Sequence, residues 1–168
     1  MFCDNILKAL SSSDVKYLIV GGVAVNLYGF ARLTGDLDVM LLMEDANIAK
    51  FIRILKKLNF KPKLPVSFDD FMNREIRDSW IKEKGMKAFS VYCKDDPGEV
   101  VDILIDSCLD FKSAYSRKKI MKSGKFSLSV ISLNDLIGMK TKADRDRDRL
   151  DISVLNKIKR INNGAAKK

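Results

Sequence analysis

Asp36 and Asp38, in "GDLDVMLLM", stand two residues apart at the mouth of an apolar run. On an extended chain residues at this spacing project from one face, so the two carboxylates form a hard-oxygen pair suited to Mg²⁺. Alone the pair says little, because aspartates also open strands as solvated turn residues. Two other features add weight. Gly21 and Gly22 follow "YLIV" and open a helical stretch, where unhindered backbone N–H groups at a helix start can face a phosphate chain. Asp102 interrupts the apolar "EVVDILID", and a carboxylate inside such a strand needs a partner to offset its burial. Asp106 shares that face but lies near the strand's end.

If the Asp102 strand lies beside that of Asp36 and Asp38, three carboxylates converge at one edge. Such a cluster can hold two divalent ions about 3.5 to 4 Å apart, the arrangement used for in-line phosphoryl transfer. Without cations it would repel itself, so metal binding accounts for all three residues together. The expected cofactor is Mg²⁺, as two ions, with Mn²⁺ as a substitute.

Composition limits the alternatives. The chain has 168 residues, 46% of them hydrophobic, enough for one sizeable core. Lysine and arginine number 31 against 22 acidic residues, a net charge of +9 that commonly accompanies phosphate-bearing partners. There is no histidine, which removes Ser-His and Cys-His catalysis and every histidine-containing metal site. Cys3, Cys93 and Cys108 are odd in number and form no CxxC pair, so a disulfide framework or zinc knuckle has little support. The amino terminus lacks the basic start and long apolar core of a signal peptide, and no segment approaches the roughly twenty apolar residues that span a bilayer. A cytoplasmic protein without membrane contact is expected; its oligomeric state is not legible.

The elements that must position the carboxylates follow from periodicity. A helix from Asp4 to Leu10 precedes a buried strand in "KYLIVGG"; "GVAVNLYGF" is a short helix ending near Gly29, and "DLDVMLLM" is the second strand. Ile48, Phe51, Ile52, Leu55 and Leu58 mark an amphipathic helix after Asp45. "KPKLPVS" reads as a loop and "FDDFMNREIRDSWIKEKG" as a polar helix with a break. "MKAFSVYCKDDPGEVVDILIDS" reads as two strands about a Pro-Gly turn, and "RKKIMKSGKFSLSVIS" as a basic hairpin. Two helices close the chain, with a frayed end at "NNGAAKK". Phe89, Tyr92 and Trp80 sit at strand or helix periodicity and read as packing residues. The expected fold class is α+β: a mixed sheet of four to six strands flanked by helices, in a single domain with a core over residues 1–131 and a helical segment over 132–168 packed on it.

"GGVAVNLYGFARLTGDLDVML" resembles the nucleotidyltransferase superfamily related to DNA polymerase β, whose pattern is Gly-Gly or Gly-Ser, a short helix, then DxD. "RLTGDLD" and "MKTKADRDRDRLDI" are similar, more narrowly, to the AbiEii-type nucleotidyltransferase toxins, where Arg-x-Thr precedes DxD and a Lys…Arg…Lys-Asp-x-x-Asp stretch closes the domain. The similarity covers about Val15 to Leu155 and implies a nucleotidyltransferase fold. It implies that Gly21 and Gly22 hold the triphosphate, that Asp36 and Asp38 bind the metals, and that Asp102 completes the site and assists deprotonation of the acceptor. Arg32 and Thr34 match the Arg-x-Thr. Lys140, Arg145, Asp148 and Asp151 fall on the closing pattern, although Arg147 stands where lysine is usual, keeping the charge but not the shape. Gly22 replaces the commoner serine and so lacks a hydroxyl.

Read in that context, Lys140 and Arg145 are candidates for nucleotide phosphates or the departing pyrophosphate, with Asp148 as an alternative partner that orients one of the cations. By itself "KADRDRDRLD" would be a solvated helix start laced with local ion pairs. The expected activity is Mg²⁺-dependent transfer of an NMP from an NTP, ATP included, to a hydroxyl on tRNA or other RNA, a protein or a small molecule, with a toxin-like role in a toxin-antitoxin pair. The rivals are a non-catalytic nucleotide sensor or partner-binding protein of the same fold, and a basic RNA-binding domain, which would explain the charge but not the carboxylates.

Overall fold

The computed structural model describes residues 3–165. In chain order the elements are α1 (Asp4–Ser11), β1 (Tyr17–Ile19), α2 (Gly21–Leu27), β2 (Leu37–Leu41), α3 (Asp45–Lys57), β3 (Phe60–Pro62), α4 (Phe68–Met72) and α5 (Arg74–Lys84). They continue with β4 (Ala88–Cys93), β5 (Val100–Leu104), α6 (Phe111–Ser116), β6 (Lys119–Ser123), β7 (Phe126–Val130), α7 (Leu133–Ala143) and α8 (Asp146–Ala165).

The strands form one mixed sheet in the order β3-β4-β5-β2-β1-β7-β6. β2 runs parallel to β5 and antiparallel to β1, while β1 runs parallel to β7. The outer pairs β3–β4, β4–β5 and β6–β7 are antiparallel. This is the mixed α+β architecture that a central hairpin among interleaved helices predicts.

The sheet has seven strands rather than four to six. The extra one is β3, where loop was expected from Lys61 on: buried Phe60 pairs beside Cys93 of β4, and Pro62 is tolerated because β3 is an edge strand. The other unexpected element, α6, is a six-residue helix opened by Asp110, whose side chain accepts from the Ser113 N–H.

The expected break in the polar helix falls at Asn73, whose side chain ends up capping α5 by accepting from the Glu75 and Ile76 N–H groups. Buried Arg77 closes the same corner by donating to the Phe71 and Met72 carbonyls. Phe89 on β4 stacks on Phe71 at 4.5 Å and on Trp80 at 5.7 Å, which seats α4 and α5 on the sheet; Tyr92 is only half-buried. The expected frayed end is helical over residues 162–165, and residues 166–168 lie outside the described residues. Among the described residues no helix is long and apolar enough to cross a membrane.

Two connections hold the central strands. Buried Asn47 on α3 accepts from the Lys16 N–H and donates to the Lys16 and Leu42 carbonyls, clasping the outer ends of β1 and β2. Tyr28, just beyond α2, donates its hydroxyl to the Ile131 carbonyl at 2.7 Å, tying α2 to the exit of β7.

Candidate active site

β2 buries Leu37, Val39 and Leu41 and leaves Asp38 half-buried on the other face; β5 likewise buries Val101 and Ile103 and turns Asp102 the other way. The parallel register sets Asp38 directly beside Asp102, and neighbouring strands are about 4.8 Å apart, so the two carboxylates are neighbours on one face. Asp36 lies just ahead of β2. Its carboxylate accepts from the Thr34 hydroxyl at 3.3 Å.

Gly21 is required here for two reasons. Its φ of +60° belongs to the left-handed region, and a Cβ would stand 1.8 Å from Asp38 Oδ2, so only a bare backbone fits against that carboxylate. Burial, then the charges of Asp36 and Asp102, push the Asp38 carboxyl up to about 6, against the lowering effects of the Gly22 N–H hydrogen bond and Arg145.

These residues fit a hard divalent cation. Asp102 Oδ1 is buried without a hydrogen-bond partner, a costly state that coordination would relieve. The donors are carboxylate oxygens, the preferred ligands of Mg²⁺ and Mn²⁺. Among the described residues no three acidic or cysteine side chains already close into an ion cage. Like charges held side by side repel.

Arg32 and Thr34 reach the site from the loop between α2 and β2. A Cβ on Gly22 would lie 2.3 Å from Thr34 Oγ1 and 3.0 Å from Arg32 Nη2, so both side chains are laid against Gly22. The serine usual in the related pattern would collide with Thr34, whose hydroxyl already occupies that space. Asn26 on α2 sets the loop: its side-chain amide donates to the Arg32 carbonyl at 2.9 Å and accepts from the Arg32 N–H at 3.1 Å. Leu33, between the two motif residues, is 98% exposed. Neither Asn26 nor Leu33 was singled out from the sequence; Asn26 lies on a helix where nothing in the pattern marks it.

The closing segment contributes a different kind of group. Lys140 on α7 is buried, and its amine lies 2.7 Å from Asp151 Oδ2 and 3.1 Å from Asp148 Oδ1. Asp148 also accepts from Arg145 Nε at 3.1 Å, and Asp151 pairs with Arg32 Nε at 3.0 Å. Burial alone would raise the Asp148 carboxyl, but Lys140 and Arg145 outweigh it and hold the group below its ordinary value. Asp146 and Arg149 are solvated, as expected of an alternating-charge helix start, whereas Asp148 and Asp151 point inward. Arg145 and Arg147 line a cleft of about 220 Å³ with Gly21, Gly22, Asp36 and Asp38.

The overall arrangement of strands and helices recurs in solved structures. The chain superposes on the lincosamide antibiotic adenylyltransferase LnuA, bound to lincomycin, with a TM-score of 0.60 at 16% identity over 91% of this chain and 93% of the other. It has the nucleotidyltransferase fold. ANT(2")-Ia in complex with adenylyl-2"-tobramycin gives 0.58 at 13% identity over 92% and 89% of the two chains. A Thermotoga maritima protein described as a nucleotidyltransferase gives 0.51 at 15% identity over 97% and 89%. No family profile matches the sequence, and no curated protein matches it.

Proposed function

We propose that this protein is a Mg²⁺-dependent nucleotidyltransferase that moves an NMP from an NTP to a hydroxyl of an acceptor. The observation that carries this reading is the register of Asp38 beside Asp102, with Asp36 just ahead and the Gly21 backbone packed on the Asp38 carboxylate. Asp36, Asp38 and Asp102 would hold the ions, which when bound neutralise the triphosphate and make the acceptor hydroxyl more acidic.

The chain's own groups do the rest. Gly21 and Gly22 border the cleft beside Asp38, where the phosphate chain would lie, and Arg32 and Thr34 flank it. The acceptor oxygen bonds to the α-phosphorus, the P–O bond to the β-phosphate breaks, and pyrophosphate departs with that electron pair. Asp102 assists in taking the hydroxyl proton, the role that the family resemblance implies for it. Arg145, exposed at the cleft, balances negative charge on the departing pyrophosphate. No histidine is needed.

LnuA is a lincosamide adenylyltransferase bound to lincomycin and ANT(2")-Ia is in complex with adenylyl-2"-tobramycin, which makes ATP with a small hydroxylated compound the first pair to test. The net charge of +9 supports RNA as a second acceptor class. The toxin-like role rests on the Arg32-x-Thr34 and Asp148…Asp151 pattern in the sequence.

The test incubates the protein with Mg²⁺ and each of the four α-labelled NTPs, against aminoglycosides, lincosamides, tRNA and a cell lysate. Label should pass to one acceptor class and disappear with Asp38→Asn. Full activity in that variant would refute the assignment. NTP binding without transfer to any acceptor would assign a nucleotide sensor instead.

A further inference from the structure

Arg145, Asp148, Lys140, Asp151 and Arg32 form a continuous chain of five alternating charges behind the cleft, each link between 2.7 and 3.1 Å. The three inner groups are buried, although Lys140 and Asp148 border the cleft from behind, and the arginines at the two ends line it too. Ion pairs of this kind add little net stability, because desolvating the charges costs about as much as their attraction returns. As a fastening between α7 and α8 alone, the chain would be an expensive solution. Its geometry serves Arg32.

An arginine side chain gives up much rotamer freedom when it is fixed, less per bond when its planar fork is already oriented. Here each part of the guanidinium is committed. Nε forms a 3.0 Å ion pair with Asp151 Oδ1 without the alignment of a hydrogen bond, Nη1 donates to the Leu33 carbonyl at 3.0 Å, and Nη2 is left lying against Gly22. Asp151 cannot turn away without abandoning Lys140, and Lys140 is held by Asp148 in turn.

We propose that Asp151 is a positioning residue: it divides its carboxylate between Lys140 and Arg32 so that Arg32 presents Nη2 to a phosphate beside Gly22. The proposal rests on the nucleotidyltransferase reading for what the phosphate belongs to, but it concerns phosphate binding and can fail separately. It also gives the buried Lys140 its task, as the anchor for Asp151 rather than a direct phosphate ligand.

The test uses Mg²⁺ with inorganic tripolyphosphate, which carries the phosphate chain and no base, titrated calorimetrically into wild type, D151N, R32A and the double variant, with thermal melts alongside. D151N should bind about tenfold more weakly, as expected when the close ion pair that orients Arg32 is lost. In the R32A background D151N should cause no further loss, because its effect passes through Arg32. General structural damage would persist in that background. Unchanged affinity in D151N, or an equal further loss on top of R32A, overturns the proposal.

If D151N does not fold, R32K decides. Lysine keeps the charge but lacks the fork that lets one side chain grip Asp151 and face the cleft together. Its affinity should fall as in R32A, and wild-type affinity overturns the proposal. Wild type that binds tripolyphosphate in an Asp151-dependent way yet transfers no nucleotide would refute the function while leaving this inference standing.

Discussion

Asp38 on β2 and Asp102 on β5 are register partners in a parallel pair, so two carboxylates face each other across neighbouring strands. The arrangement is unfavourable without a cation, and Asp38 shows it: burial and the neighbouring charges raise its carboxyl from 3.8 to about 6. The folded chain therefore takes this proton more readily than the unfolded one. Metal-free stability should fall as pH rises between those two values and stay low above them, by roughly 3 kcal/mol in all. A divalent cation competes with the proton. Mg²⁺ or Mn²⁺ should raise the melting temperature clearly at about pH 7.5 and hardly at about pH 5, and D38N should flatten both the pH profile and the metal response. Thermal melts across pH with and without Mg²⁺ check this.

The glycine pair should be intolerant for two separable reasons. Gly21→Ala meets a left-handed φ and the Asp38 carboxylate at once, and should cost about 2–4 kcal/mol of stability together with all transfer activity. Gly22→Ala meets only Thr34 and Arg32, with Thr34 Oγ1 and Cβ at 2.3 and 2.9 Å. Adding Thr34→Gly should therefore recover stability in G22A and none in G21A. Chemical denaturation of the three single and two double variants reads the coupling directly.

The carboxylates were legible because a period of two along a strand fixes which face a residue takes, and because a charge inside an apolar run demands a partner. The glycines, the mixed sheet and most helices were legible for similarly local reasons. Residues whose work depends on distant chain were not. Asn26 looks like any polar helix position until the loop folds back and offers it the Arg32 backbone. The inward turn of Asp148 and Asp151 is invisible in "DRDRDRLD", where every residue but Leu150 is charged, because only the packing of α7 decides which carboxylates meet Lys140. β3 was missed since two prolines in "KPKLP" argue for loop, and an edge strand is where that argument fails.

Asn26 gives a direct test of loop placement. Asn26→Ala removes both hydrogen bonds to the Arg32 backbone and should cost about 1–3 kcal/mol. Asn26→Asp keeps the acceptor for the Arg32 N–H but loses the amide donor, so it should fall between wild type and alanine. Both variants should weaken Mg²⁺–triphosphate binding in the same order, read by calorimetry. Wild-type affinity in Asn26→Ala would mean that the loop needs no such clasp.

Lys140 and Arg145 were grouped as phosphate candidates, and their burial separates them. The Lys140 side chain is 7% exposed between two carboxylates, whereas that of Arg145 is 59% exposed at the cleft. Lys140→Met strands Asp148 and Asp151 in the interior and should destabilise the fold by about 3–5 kcal/mol. Adding Asp148→Asn should recover part of that loss by removing one stranded charge. Arg145→Ala gives up only a solvent-screened pair, so its stability should stay within about 1 kcal/mol of wild type while transfer slows. Denaturation midpoints set beside initial rates distinguish the two. A stable K140M, or an R145A that melts early and turns over normally, would reverse their assigned roles.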